Sequence, residues 1–206
     1  MTPEQTLAEW NAQLAALLAR QRAAGRSEPG LATPEMVASK TGLQIFEAWL
    51  AGEMPAPHIG KTMDFFLVEV AHGRAVFQGT PQLKHYNPIG SVHGGWYATL
   101  LDSALGCAVH SSLPAGRAYT TAEFSLNIVR AATAQTGPLR AIGQVIHSGR
   151  QMATAEGRLV GPDGKLYAHA TTTCLVFEQR PDGNGAPPLS LTPAGDGQVP
   201  PAVGRQ

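Results

Sequence analysis

The sequence predicts an α+β protein: an antiparallel sheet wrapped around one long central helix, with extra helices ahead of it. Three observations carry this. Residues 94–110 read as a helix that is apolar on nearly all sides (Trp96, Tyr97, Leu100, Leu101, Ala104, Leu105, Ala108, Val109), and such a helix must be enclosed. Two β-like runs precede it and three or four follow, joined by short connections that imply antiparallel pairing. With 206 residues, 43% of them hydrophobic, the chain is one domain with extensions and can bury a real core.

Residues 2–24 read as an amphipathic helix. Thr2 caps it, Pro3 suits its first position, Gln5 closes a capping box, and Leu7, Trp10, Leu14, Leu17 and Leu18 form one stripe. Gly25 to Gly30 breaks it, and that stripe has a place packing across an oligomer. Thr33-Pro34-Glu35 repeats the start signal more weakly, and Thr41 precedes a short helix over 42–51 that Gly52 can end. Pro55 and Pro57 mark an extended linker. Residues 65–70 and 74–78 flank a Gly73 turn and read as a hairpin. After the long helix, β-like runs span 119–130, 138–148, 151–160 and 165–178, the last two joined by the turn Gly161-Pro162-Asp163-Gly164. The Pro- and Gly-rich stretch from Pro181 reads as disordered. The organisation is thus an N-terminal helical extension over 1–41, a principal domain over 42–180 and a tail over 181–206.

Charge excludes several roles. Lys+Arg and Asp+Glu both number 15, with no basic stripe, so nucleic acid is not an expected partner. No apolar run approaches the roughly 18 residues of a membrane span. Cys107 and Cys174 lie far apart in apolar surroundings, as reduced core thiols do. With no basic n-region or apolar h-region at Met1-Thr2-Pro3, the cytoplasm is the expected address. There is no G-x-S-x-G elbow, no H-E-x-x-H or paired-cysteine spacing, and no phosphate loop, so neither a hydrolase serine nor a metal site is expected.

The chemistry concentrates in Asn87-Pro88-Ile89-Gly90-Ser91-Val92-His93-Gly94-Gly95 and in Asp102, the one carboxylate in the apolar helix. A glycine pair at a helix start can be a tight turn needing positive φ. It can equally bare the Gly94 and Gly95 amides to a carbonyl oxygen becoming an oxyanion. Asp102 can be structural, satisfied by a Ser or Thr neighbour, or it can be a base or nucleophile. It lies eight residues past Gly94, roughly 12 Å along the helix at about 1.5 Å per residue. Base catalysis needs about 3 Å or one bridging water. If both groups serve one reaction, a second copy of the chain must bring its Asp102 to this copy's Gly94, giving two symmetric sites at a dimer interface.

Lesser candidates surround these. His93 reads as a base, a ligand-orienting donor or a loop anchor; Asn87 reads as a turn initiator or an orienting amide. Thr120-Thr121 can be simple strand formers, or one hydroxyl beside Asp102 can hold a water. Arg130 and Ser148-Gly149-Arg150 place guanidinium groups near strand ends, either solvated or touching phosphates of a large anionic ligand.

These residues resemble the hotdog-fold acyl-CoA thioesterases, specifically the phenylacetate-degradation type of the 4-hydroxybenzoyl-CoA thioesterase superfamily. The similarity covers roughly residues 42–178. It rests on Asn87-Pro88 with His93-Gly94-Gly95, on Leu100-Leu101-Asp102-Ser103-Ala104-Leu105-Gly106, on Tyr119-Thr120-Thr121-Ala122-Glu123, and on Gly149-Arg150. The resemblance implies a five- or six-stranded sheet around one helix, with dimers paired sheet edge to sheet edge and usually joined into tetramers. It puts the oxyanion amide on Gly94 and the catalytic carboxylate on Asp102 of the other subunit. The family's asparagine and histidine fall on Asn87 and His93, and its water-holding hydroxyl on Thr121 or Thr120. Coenzyme A, as part of the substrate and not as a cofactor, lies near Gly149-Arg150, with Ser148 and Arg130 as further contacts.

Three departures stand out: Trp96 where a smaller residue is usual, which narrows the acyl pocket; Val129-Arg130-Ala131-Ala132 where Leu-Arg-Pro is common; and the extra N-terminal 40 residues. The sequence therefore predicts a thioesterase acting on an aromatic or short- to medium-chain acyl-CoA, as a homodimer or homotetramer. A non-catalytic acyl-CoA binding module is one alternative. A hotdog hydratase or dehydratase is the other, but it needs an Asp and His a few residues apart, and the first His after Asp102 is His110, eight residues on.

Overall fold

The computed structural model describes residues 1–179; the tail over 181–206 lies outside the described residues. Five helices, α1 (Pro3–Ala23), α2 (Pro34–Val37), α3 (Gly42–Ala51), α4 (His58–Met63) and α5 (Gly94–Ser111), accompany six strands. These are β1 (Phe65–Ala71), β2 (Arg74–Gly79), β3 (Arg117–Ile128), β4 (Leu139–Ser148), β5 (Met152–Val160) and β6 (Leu166–Glu178). They form one antiparallel sheet in the order β1-β2-β4-β5-β6-β3.

Local signals start and stop the helices. Thr2 and Gln5 form a reciprocal capping box on α1, and Thr41 and Gln44 form another on α3, which Gly52 ends at φ 82°. The stretch after Thr33 makes one turn only. The extended linker at Pro55 and Pro57 runs straight into α4, which the sequence had not signalled. Six residues are too few to show a helical period, and Pro57, at its N-cap, supplies no side-chain cap.

The long helix is enclosed as expected. Leu100, Leu101, Ala104, Leu105, Ala108 and Val109 are fully buried. The strands beneath it present small residues, Ala141, Gly143, Ala153, Ala155, Gly157 and Ala168, so the helix lies almost on the sheet backbone. At Gly143 a Cβ would sit 2.3 Å from the Ala104 carbonyl oxygen, so only glycine fits there.

The N-terminal extension packs on the chain's own sheet, which corrects the expectation of packing across an oligomer. Leu14 and Leu17 meet Val68, Val76, Phe66 and Ile142 in a second apolar cluster, separate from that around α5. Those residues face away from α5, leaving an outer apolar surface that this chain covers with its own first helix. Arg140 pins the contact. Its buried guanidinium donates to Gln78 Oε1 (3.0 Å), Glu69 Oε1 (2.9 Å) and Gln13 Oε1 (2.7 Å), and lies 4.5 Å from the Trp10 ring centre.

Candidate active site

The chain enters α5 through a loop ordered by Asn87. Its Oδ1 accepts from the Ile89 and Ser91 backbone N–H groups (3.1 Å each), and its Nδ2 donates to Ser91 Oγ (2.9 Å). In this structure the carboxamide therefore serves its own loop, as an Asx residue before proline does. His93 caps the helix. Its Nδ1 accepts from the Gly95 N–H at 2.9 Å, which in the neutral ring leaves the proton on Nε2. The Gly95 amide is thereby occupied. The Gly94 N–H finds no acceptor among the described residues and stands free at the positive end of the helix.

Neither glycine has positive φ, so the tight-turn reading of the pair does not hold. Space accounts for Gly95, beside the capping imidazole, whereas Gly94 faces only the flexible end of a side chain. A Cβ on Gly95 would come within 3.0 Å of His93 Nδ1, and one on Gly94 within 3.2 Å of Ile128 Cδ1.

Asp102 is half-buried in the single chain, and its Oδ1 accepts a 3.0 Å hydrogen bond from Thr121 Oγ1. Of the two adjacent threonines, Thr121 is thus the one that meets the carboxylate. A β-bulge between Thr121 and Glu123 explains the placement. Tyr119 packs on the core before it and Phe124 and Leu126 after it, so the inward-facing positions change from odd to even across the bulge. Within one chain Asp102 and Gly94 stay on one uninterrupted helix, about two turns apart.

A cleft of about 370 Å³ opens beside the helix start, lined by His93, Gly95, Trp96, Thr99, Lys84 and His85 among others. Sequence reading missed the last two. His85 is held through its backbone, whose carbonyl accepts from the His93 N–H at 2.7 Å, and its ring stacks on Trp96 at 5.8 Å. Its Nδ1 accepts from the Gln82 N–H (3.1 Å), so Nε2 carries the proton in the neutral ring, 3.4 Å from Asp64 Oδ2; Lys84 Nζ lies 2.7 Å from the same oxygen. Burial lowers the His85 pKa, with Asp64 opposing. No local pattern ties residues 64 and 85 to residue 93; only the folded chain does.

The four residues expected to touch coenzyme A do not gather in one chain. Ser148, Gly149 and Arg150 sit at the C-terminal end of α5, where Ser112 Oγ donates to Ser148 Oγ (3.0 Å) and Arg117 donates to the Arg150 carbonyl. Arg130 sits at the other end, its carbonyl accepting from Tyr97 Oη (3.2 Å) and its guanidinium 5.7 Å from the Tyr167 ring centre. About 25 Å of helix separates the two places.

Near Asp102, burial pushes the Cys107 thiol up to about 12 and raises that of Cys174, so both are thiols at neutral pH. Among the described residues no cluster of His, Cys, Asp or Glu could hold a metal ion, and no helix is long and apolar enough to cross a membrane.

Burial also pushes the His110 imidazole, between Phe46 and Tyr119, down from 6.5 to about 4. Between those values the unfolded chain binds a proton that the folded one refuses. The stability this preserves is complete above about pH 6.5 and falls as pH drops toward 4. We expect the urea midpoint of the wild type to fall more steeply than that of His110→Gln across this window; equal slopes would refute the assignment.

Residues 89–168 match a family model described as Thioesterase superfamily. A curated protein of Halobacterium salinarum, provisionally named an esterase, is 41% identical over 86 residues, 42% of this chain and 56% of that protein. The match spans only about half of that relative's length. A solved structure from Ralstonia eutropha JMP134, provisionally described as a thioesterase and phenylacetic acid degradation-related protein, is 31% identical. It aligns over 63% of this chain and 98% of its own, with TM-score 0.58. The PaaI protein from the phenylacetic acid degradation operon of E. coli is 23% identical over 68% of this chain and 96% of its own, with TM-score 0.58, and shares the fold.

Proposed function

Because this chain belongs to the thioesterase superfamily, with its sheet and central helix in the hotdog arrangement, we propose that it hydrolyses an acyl-CoA thioester to a free acid and coenzyme A. The observation that carries the reading is the Asp102 carboxylate on Thr121, on the same helix that leaves the Gly94 amide bare. A carboxylate oriented by a hydroxyl and a free N–H at a helix start are the two groups that acyl transfer to water requires.

The groups act across a dimer. The Gly94 N–H polarises the thioester carbonyl and stabilises its oxyanion. Asp102 of the partner either takes a proton from a water held by Thr121 as that water attacks, or attacks the carbonyl carbon itself and is then released by water. In both routes the C–S bond breaks and the sulfur leaves as thiolate, to be protonated. His93 supports this by capping the helix and orienting its free amide. Asn87 supports it by holding the loop.

Edge strand β3 favours the assembly. It pairs with β6 on one side only, its inward residues Phe124 and Leu126 are half-buried, and Ile128 is 45% exposed. A 12-residue unpaired edge of this kind is a template for a second copy. Two chains joined there would also let the Arg130 of one and the Ser148-Gly149-Arg150 turn of the other approach a single coenzyme A. Two reduced thiols fit a reducing compartment such as the cytoplasm.

The test is thiol release from a panel of aromatic and short- to medium-chain acyl-CoAs. We expect turnover that favours compact acyl groups, because Trp96 fills the wall of the cleft beside Gly95. Thermal stabilisation by the same esters without thiol release would refute hydrolysis and establish a binding module.

A further inference from the structure

A second pocket, sharing no lining residue with the cleft at His93, lies between the N-terminal extension and the sheet. Its volume is about 250 Å³, below the roughly 300 Å³ at which drug-sized sites begin, so its occupant is compact. Leu18 of α1, Trp49 of α3 and the Phe65-Phe66 pair of β1 wall it with apolar surface.

Two features show what it would hold. Gln21 lines it, is only 5% exposed, and its carboxamide has no hydrogen-bond partner among the described residues. Its carboxamide is not sealed from solvent, so it can be reached from the pocket and offers both a donor and an acceptor there. Beside it, Arg22 and Lys61 reach the pocket from exposed positions. Lys61 pairs with Glu28; Arg22 has no ion pair among the described residues, and no carboxylate lines the pocket.

We propose that this pocket binds a compact free carboxylic acid. Its apolar body lies against the Trp49 and Phe65 wall, and its carboxylate is met by Arg22, Lys61 and the Gln21 amide. Nothing in this assignment needs the hydrolytic reading. That the ligand class equals the product class of the proposed reaction does rest on it, and would make the N-terminal extension a product sensor.

Isothermal titration of the full chain with octanoate, and with neutral octanamide, tests the proposal. We expect octanoate to bind wild type and Asp102→Asn alike, and octanamide to bind at least about fivefold more weakly, as loss of partly exposed charge contacts predicts. The exposed-site double variant Arg22→Gln/Lys61→Gln should weaken octanoate by a similar factor with its melting temperature unchanged. Gln21→Leu should weaken it too, and Ala56→Phe, which fills the pocket, should abolish binding. Absence of octanoate binding, equal binding of the amide, or binding untouched by these pocket variants would overturn the proposal. None of these outcomes bears on thiol release from acyl-CoA, which is measured separately.

Discussion

Asp102→Asn is expected to lower turnover of the preferred acyl-CoA by at least about 100-fold and to leave the fold intact, the loss that follows from removing a positioned base or nucleophile. The substitution is nearly isosteric. An asparagine Oδ1 still accepts the Thr121 hydroxyl that holds Asp102 at 3.0 Å, and the site is only half-buried, so packing changes little. What disappears is the negative charge that would take a proton or form a bond. A melting temperature within a few degrees of wild type should accompany the rate loss, and a near-normal rate would overturn the mechanism. Single turnover in oxygen-labelled water separates the two roles. A base delivers label to the acid at once; a nucleophile passes through a mixed anhydride, which trapping reveals and which, when water opens it at the Asp102 carbonyl, leaves unlabelled acid and label in Asp102 on the first cycle.

Gly94→Pro tests the other half of the proposed site, and an effect of comparable size is expected. Proline is well tolerated at the first helical position; it replaces the N–H with its ring Cδ, and its Cβ meets the flexible Ile128 Cδ1 as an alanine Cβ would. His93 is already extended, at φ −64° and ψ 139°, as a residue before proline prefers. The helix should therefore form, minus the amide that stands free at its start. We expect turnover to fall roughly 100- to 1,000-fold, the usual cost of one lost oxyanion donor. Gly94→Ala, which keeps the N–H and meets only the flexible Ile128 Cδ1 at 3.2 Å, should retain most activity. Refolding Asp102→Asn together with Gly94→Pro then tests the shared site. If each site draws on two chains, mixed dimers regain one complete site and activity returns well above either parent. If Asp102 and Gly94 serve within one chain, mixing restores nothing.

Much of this molecule can be read from its residues because the signals are local. Capping boxes at Thr2 and Thr41, the helix stop at Gly52, the turn at Gly161–Gly164 and the apolar run after Gly94 each act within a few residues, and each appears in the fold where its chemistry directs. The short helix at His58–Met63 and the 3-10 turn at Leu83–His85 are the exceptions, too short to show periodicity. Asp102 and the Gly94 amide were visible for the same reason. One is a charge within an apolar helix; the other is a helix start with no side chain to cover it.

What depends on distant partners could be settled only by folding. The pairing of β3 with β6, and the bulge that turns Thr121 rather than Thr120 toward Asp102, follow from register between strands some fifty residues apart. Arg140 joining α1 to the sheet, His85 behind Trp96, and the separation of Arg130 from Arg150 are likewise contacts between remote segments. Residue patterns report hydrogen bonding and amphipathicity along a few turns of chain. Which surfaces then meet is decided by the packing of the whole molecule, whose free energy is a sum over contacts that no short stretch contains.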